Sequence, residues 1–104
     1  MKYFFVLIGV VIFIREKYGN IIDEASKKYG VNSNIVVAMI RLESGGDPNA
    51  IGSKGEIGLM QLMPGTARDM GVNNPFNPRD NIFGGTKYLR YLLDIHNGNL
   101  DKAI

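Results

Sequence analysis

The chain has 104 residues, enough for one domain and not two. Its 45% hydrophobic and 21% charged content is that of an ordinary globular protein, which excludes a disordered chain. A net charge of +2 without a Lys/Arg run gives no argument for a nucleic-acid partner, and the absence of cysteine excludes a disulfide framework, a thiol nucleophile and a Cys-based metal site.

The first element is apolar. Met1 and Lys2 precede twelve apolar or glycine positions, Tyr3 to Ile14, and Arg15-Glu16-Lys17 follows. A cationic start and an apolar core of this length have the anatomy of an export signal. Twelve helical residues span about 18 Å, short of a hydrocarbon core of roughly 30 Å. Residues 1–19 therefore read as a signal peptide or a short membrane anchor, and the protein as exported to the cell envelope. A buried core helix or strand is the competing reading. With no small-x-small pair after Ile14, cleaved signal and retained anchor both stand.

Gly19-Asn20 separates this segment from the remainder, 20–104. Asn20 and Asp23 have capping spacing, Ile22, Ala25 and Tyr29 share one face, and Gly30 supplies a stop, so 21–29 reads as a helix. A second helix begins after Asn32 or Ser33, runs through Ile35 to Glu43 and ends at Gly45-Gly46. It is apolar nearly all round and is expected at the centre of the core. The β-branched residues leave a strand open for 35–40.

From 47 to 63, Gly52, Gly55 and Gly58 recur every three residues among Ser53, Lys54 and Glu56, the composition of irregular or short hairpin backbone. Pro64 opens a short helix over 65–70 that Gly71 closes. Asn77-Pro78-Arg79-Asp80 is a helix start, with Ile82, Gly85, Leu89, Leu92 and His96 at helical spacing behind it. Asn97-Gly98 ends that helix and Asn99 caps another beginning at Leu100. The sum is a mainly α domain with a small glycine-rich loop or β region.

Glu43 stands in the last turn of the second helix. Apolar neighbours and the negative end of the helix dipole both oppose charge on a carboxylate there, as a general acid requires. A glutamate ending a helix is otherwise an ordinary solvated group, so its surroundings decide. Glu43-Ser44-Gly45, Asn49-Ala50, Gly55, Gly58-Leu59-Met60-Gln61 and Pro64-Gly65-Thr66-Ala67, in that order, resemble the soluble lytic transglycosylase signature. Asn81-Ile82, Gly85 and Tyr88-Leu89 look like the downstream helix of that family. The likeness covers residues 21–104.

What the resemblance implies is a lysozyme-like, goose-type helical fold that cuts peptidoglycan glycan strands between N-acetylmuramic acid and N-acetylglucosamine, leaving a 1,6-anhydro end. Glu43 is the implied catalytic acid and base, and no metal or cofactor is called for. Ordinary glycosidases use two carboxylates. Here a hydroxyl already tethered to the sugar stands in for the second. Around Glu43 the candidate substrate-binding residues are Ser44, Gly58, Met60, Gln61 and Met63. Ser44 is read as a hydrogen-bond partner of the carboxylate, with satisfaction of the helix end as its alternative. Gln61 suits N-acetyl and hydroxyl groups, or else caps the loop. Met60 and Met63 can pack on sugar faces or lie in the core. Gly58 either lets backbone approach a sugar or serves as a plain turn.

Glu56, Asp47, Asp69 and Asp80 read as surface, loop and cap groups, His96 as a helix-end residue and Tyr88 as core. Relatives carry an Ala-Tyr-Asn-Ala-Gly stretch soon after the position of Ala103, where this chain stops, so one wall of the cleft is expected to be missing. A non-catalytic glycan-binding domain and a hydrolytic goose-type lysozyme are the alternative functions.

Overall fold

The computed structural model describes the backbone of residues 2–103, and side chains other than those of 1–5, 7 and 104. Within the expected signal segment, Tyr3, Phe4, Phe5 and Leu7 thus lie outside the described side chains. The elements in chain order are α1 (Lys2–Tyr29), α2 (Ser33–Ser44), α3 (Pro64–Asp69), α4 (Pro78–Ile95) and α5 (Leu100–Ala103).

The first difference from the sequence reading is α1. No helix starts at Asn20, which is an exposed mid-helix residue, and the chain runs helical without a break from Lys2 to Tyr29. The reason is a stripe at helical spacing. Ile14, Tyr18, Ile22 and Ala25 are all buried, and Val10, Val11, Ile21 and Tyr29 pack against the same core. A stripe of that length outweighs the roughly 1 kcal/mol helix penalty of one glycine, Gly19. The helix stops at Gly30, φ 64°, where Val31 N–H donates back to Ser26 O at 3.1 Å.

The Asn32 side chain caps α2 by accepting from Asn34 N at 2.8 Å, and at its other end Gly45, φ 62°, donates to Arg41 O at 3.1 Å. The strand alternative for 35–40 is thereby excluded. Nor is α2 buried all round. Val36, Val37 and Ile40 face the core, whereas Ala38 and Leu42 are exposed. Its position at one side of α1, not between layers, leaves one flank to solvent. α1 packs against both α2 and α4 and is the central helix of the domain.

Between α2 and α3 the backbone is irregular, pinned by two isolated antiparallel bridges, Ile51 with Ile57 and Ile57 with Leu62. α4 begins as its sequence predicts, with the Asn77 side chain accepting from Asp80 N at 3.0 Å and Pro78 in the first turn. It ends at His96, and Asn97 and Gly98, both at positive φ, turn the chain into α5. Asn99 caps that helix by accepting from Lys102 N at 3.2 Å.

Candidate active site

An open groove of about 200 Å³ runs between α2 and α4, floored by the 60–63 segment. α2 contributes Met39 and Glu43. The loop and α3 contribute Met60, Gln61, Leu62, Met63 and Thr66, and α4 and α5 contribute Gly85, Tyr88, Leu89, Leu92 and Ala103. Glu43 is the one carboxylate among these lining residues. It reaches the groove because it occupies the last turn of α2, where the helix is ended by Gly45 and leaves the side chain at an edge. The apolar shielding expected from the sequence is not supplied by the protein itself: Glu43 is exposed.

The floor is built on a residue that the sequence reading left without a role. Asn81, completely buried on the first turn of α4, accepts from Met60 N at 2.7 Å. Its Nδ2 donates to Ile57 O at 3.0 Å and to Pro75 O at 2.9 Å. One amide thus fastens the 57–60 backbone and the 75 turn to α4, satisfying groups whose burial without a partner would cost about 1–3 kcal/mol each. A polar side chain directly before the apolar Ile82–Leu89–Leu93 stripe was the available signal.

Each predicted binding residue can now be placed. Met60 is buried and lines the groove, pressed so close to α4 that a Cβ on Gly85 would sit 2.5 Å from its Sδ. Met63, 43% exposed, offers an apolar face at the rim. Gln61 lines the groove, but its amide nitrogen is committed to the loop, donating to Ala50 O at 3.1 Å and to Gly58 O at 2.9 Å. Those bonds hold Gln61 at φ 51°, a left-handed conformation disfavoured for a residue with a Cβ.

Three residues stand elsewhere than expected. Gly58 does not line the groove; it lies against Asn81 and Pro75, where a Cβ would be 2.4 Å from both Asn81 Nδ2 and Pro75 O. Its lack of a side chain serves loop packing. Ser44 does not pair with the Glu43 carboxylate. Its hydroxyl donates to Ile40 O at 3.1 Å and accepts from Gly46 N at 3.2 Å, because the helix end leaves those two backbone groups within its reach. Tyr88, expected in the core, is half-buried on the groove wall and stacks on exposed Tyr91, ring centroids 6.3 Å apart. Glu56 turns back onto its own loop, accepting from Lys54 N at 2.7 Å.

The comparisons with known proteins give the family and the fold. The transglycosylase SLT domain family model matches residues 20–104. The chain belongs to that family. The chain is 40% identical over 83 residues to a transglycosylase of Enterobacteria phage PRD1, covering 80% of this chain and 31% of the phage protein. It is 37% identical over 78 residues to membrane-bound lytic murein transglycosylase F 1 of Alkalilimnicola ehrlichii, covering 75% of this chain and 16% of that protein.

Among solved structures, an inactive mutant of the lytic transglycosylase Slt of Pseudomonas aeruginosa superposes with a TM-score of 0.74 at 31% identity, over 79% of this chain and 15% of the other. The 70 kDa soluble lytic transglycosylase of Escherichia coli gives 0.76 at 26% identity, over 83% and 16%. A complex of the 70 kDa enzyme with bulgecin A gives 0.77 at 26% identity, over the same shares. The lysozyme-like helical fold expected from the sequence is thereby shown. This SLT domain spans about a third or less of the length of each of these relatives.

Proposed function

We propose that this SLT domain is a peptidoglycan lytic transglycosylase that cleaves the β-1,4 bond between N-acetylmuramic acid and N-acetylglucosamine. The observation that carries the reading is the single carboxylate, Glu43, in a groove otherwise lined by methionines, Gln61, Thr66, Tyr88 and aliphatic side chains. Hydrolases that place two acids across the bond need a second carboxylate, and this lining has none.

Glu43 donates its proton to the glycosidic oxygen as the bond from the muramoyl anomeric carbon breaks. The resulting carboxylate takes the proton of the muramoyl 6-hydroxyl, whose oxygen closes on the anomeric carbon. The acid is restored and the product carries a 1,6-anhydro ring. Holding the hydroxyl on the same sugar converts the attack to an intramolecular one, a large entropic advantage. Because the protein leaves Glu43 exposed, the shielding from water falls to the bound sugar. Met63 and Tyr88 offer apolar faces to sugar rings, and Met60 and Gln61 form the floor beneath them.

Purified protein incubated with sacculi should release anhydromuropeptides detectable by mass spectrometry, and Glu43→Gln should lower that release about a hundredfold or more, the scale of a lost acid–base group. Unchanged release by this variant would refute the assignment. Reducing ends would indicate hydrolysis instead, and co-sedimentation with sacculi without release a binding domain. The substrate places the protein in the cell envelope, and the apolar stretch 3–14 supports export with association at a membrane.

A further inference from the structure

We infer that α1 is not a removable leader followed by a domain but one retained stalk, whose inner stripe belongs to the catalytic core and whose outer apolar tip inserts into a lipid surface. This rests on the export reading above and takes the anchor side of the choice that the sequence leaves open.

Ile14 and Tyr18, at 0% and 3% exposure, lie before residue 20, where the family match starts, and still belong to the same buried cluster as Ile22, Val36, Ile40 and Leu89. Removing residues up to 19 would expose the partners of both. The stalk also bears on the catalytic helix. Gly46, three residues after Glu43, packs so closely on α1 that a Cβ there would lie 3.1 Å from the Phe13 ring and 3.2 Å from Ile14. The end of α2, and with it the position of Glu43, is set against the part of α1 that a cleaved leader would take away.

The buried stripe continues along α1, but the exposed side changes character at one point. Before it stand Val6, Ile8, Ile12 and Phe13, all between 41% and 62% exposed. After it, the exposed positions are Arg15, Glu16, Lys17, Asn20, Asp23, Glu24, Lys27 and Lys28. One helix with one inner face and two outer media is the pattern of an element leaving water.

The exposed apolar residues cover a broad arc, not the single narrow seam with a 3.5-residue repeat by which helices of two copies interlock. Lys2 before the apolar stretch, and Arg15 and Lys17 just after it with Glu16 between them, leave a net cationic charge for anionic headgroups. No helix, among the described residues, is long and apolar enough to cross a membrane, and the proposed mode is entry of the tip into one leaflet. With no linker between tip and core, the lipid surface holds the groove at a fixed height.

The test uses the full chain exported in a bacterial host. Mass spectrometry of the envelope fraction should find residues 3–14 still attached. The purified chain should float with vesicles of phosphatidylglycerol and phosphatidylethanolamine. A combined Val6→Ser, Ile8→Ser, Ile12→Ser variant should float about tenfold less, with unchanged thermal melting and unchanged cutting of sacculi in solution. A chain beginning at Asn20 should melt at lower temperature or fail to fold.

Three results overturn the proposal: an envelope species processed between residues 14 and 20, equal melting of the chain beginning at Asn20, or equal flotation of the triple variant. A concentration-dependent dimer lost in the triple variant, without flotation, would assign the face to a second copy and overturn it as well. None of these overturning results is read from glycan cleavage, so they stand or fall separately from the role of Glu43.

Discussion

Asn81→Ala tests whether the groove floor hangs from α4. In the native chain the Asn81 amide makes three hydrogen bonds from a fully buried position. Its loss does not strand three groups equally. Ile57 O also accepts from Leu62 N at 3.0 Å and keeps that partner. Met60 N and Pro75 O have only Asn81 among the described bonds. One buried group, Met60 N, and one part-buried group, Pro75 O, at up to about 1–3 kcal/mol each give a loss of about 3–4 kcal/mol, a large share of the 5–15 kcal/mol typical of a domain. At about 4–8 °C per kcal/mol for a chain of this size, melting should fall by roughly 15–30 °C. Urea unfolding gives the free energy, and hydrogen exchange at the Met60 amide reports the local bond. A loss below about 1 kcal/mol with the Met60 amide still protected would refute the reasoning, since the floor would then be held by something other than this side chain.

Gly85→Ala drives a Cβ to within 2.5 Å of Met60 Sδ and 2.9 Å of Met60 Cβ, so it should cost about 1–3 kcal/mol in urea unfolding and narrow the groove. Adding Met60→Ala should recover part of that loss, with a coupling of about 1 kcal/mol in the double-mutant cycle. Ser44→Ala removes two helix-end hydrogen bonds, so it should lower stability by about 1 kcal/mol while kcat on sacculi stays within about threefold; a hundredfold fall in kcat would return Ser44 to the chemistry. Met63→Ala, at an exposed rim position, should change stability by less than about 0.5 kcal/mol and raise KM several-fold, and an unchanged KM would remove it from the binding surface.

The comparison of sequence and structure divides along a physical line. Local chemistry was legible. Asn32, Asn77 and Asn99 announce helix starts through side chains that reach backbone groups two or three residues on, and Gly30, Gly45 and Gly98 announce stops through conformations other residues avoid. The ordered block from Glu43 to Ala67 carried the family, and the position of Glu43 in the last turn of α2 followed from Gly45 behind it.

What crosses between elements was not legible. Nothing near Gly19-Asn20 tells a reader of the sequence that Ile14 and Tyr18 will be buried beneath α2 and α4, because that burial is decided by surfaces distant in the chain. The roles of Asn81 and Gly58 follow from packing between residues 23 apart, so tight that a Cβ on Gly58 would lie 2.4 Å from Asn81 Nδ2. The exposure of Glu43 likewise depends on how far α2 stands from α4, which no residue of α2 encodes. By itself the sequence determined α2 to α5 in outline, the caps at Asn32, Asn77 and Asn99, and the place of Glu43 at a helix end, since these need only neighbours along the chain. The tertiary structure alone decided which side of each helix is dry, what holds the groove floor and where the chain can leave water, since burial is a property of surfaces meeting in space.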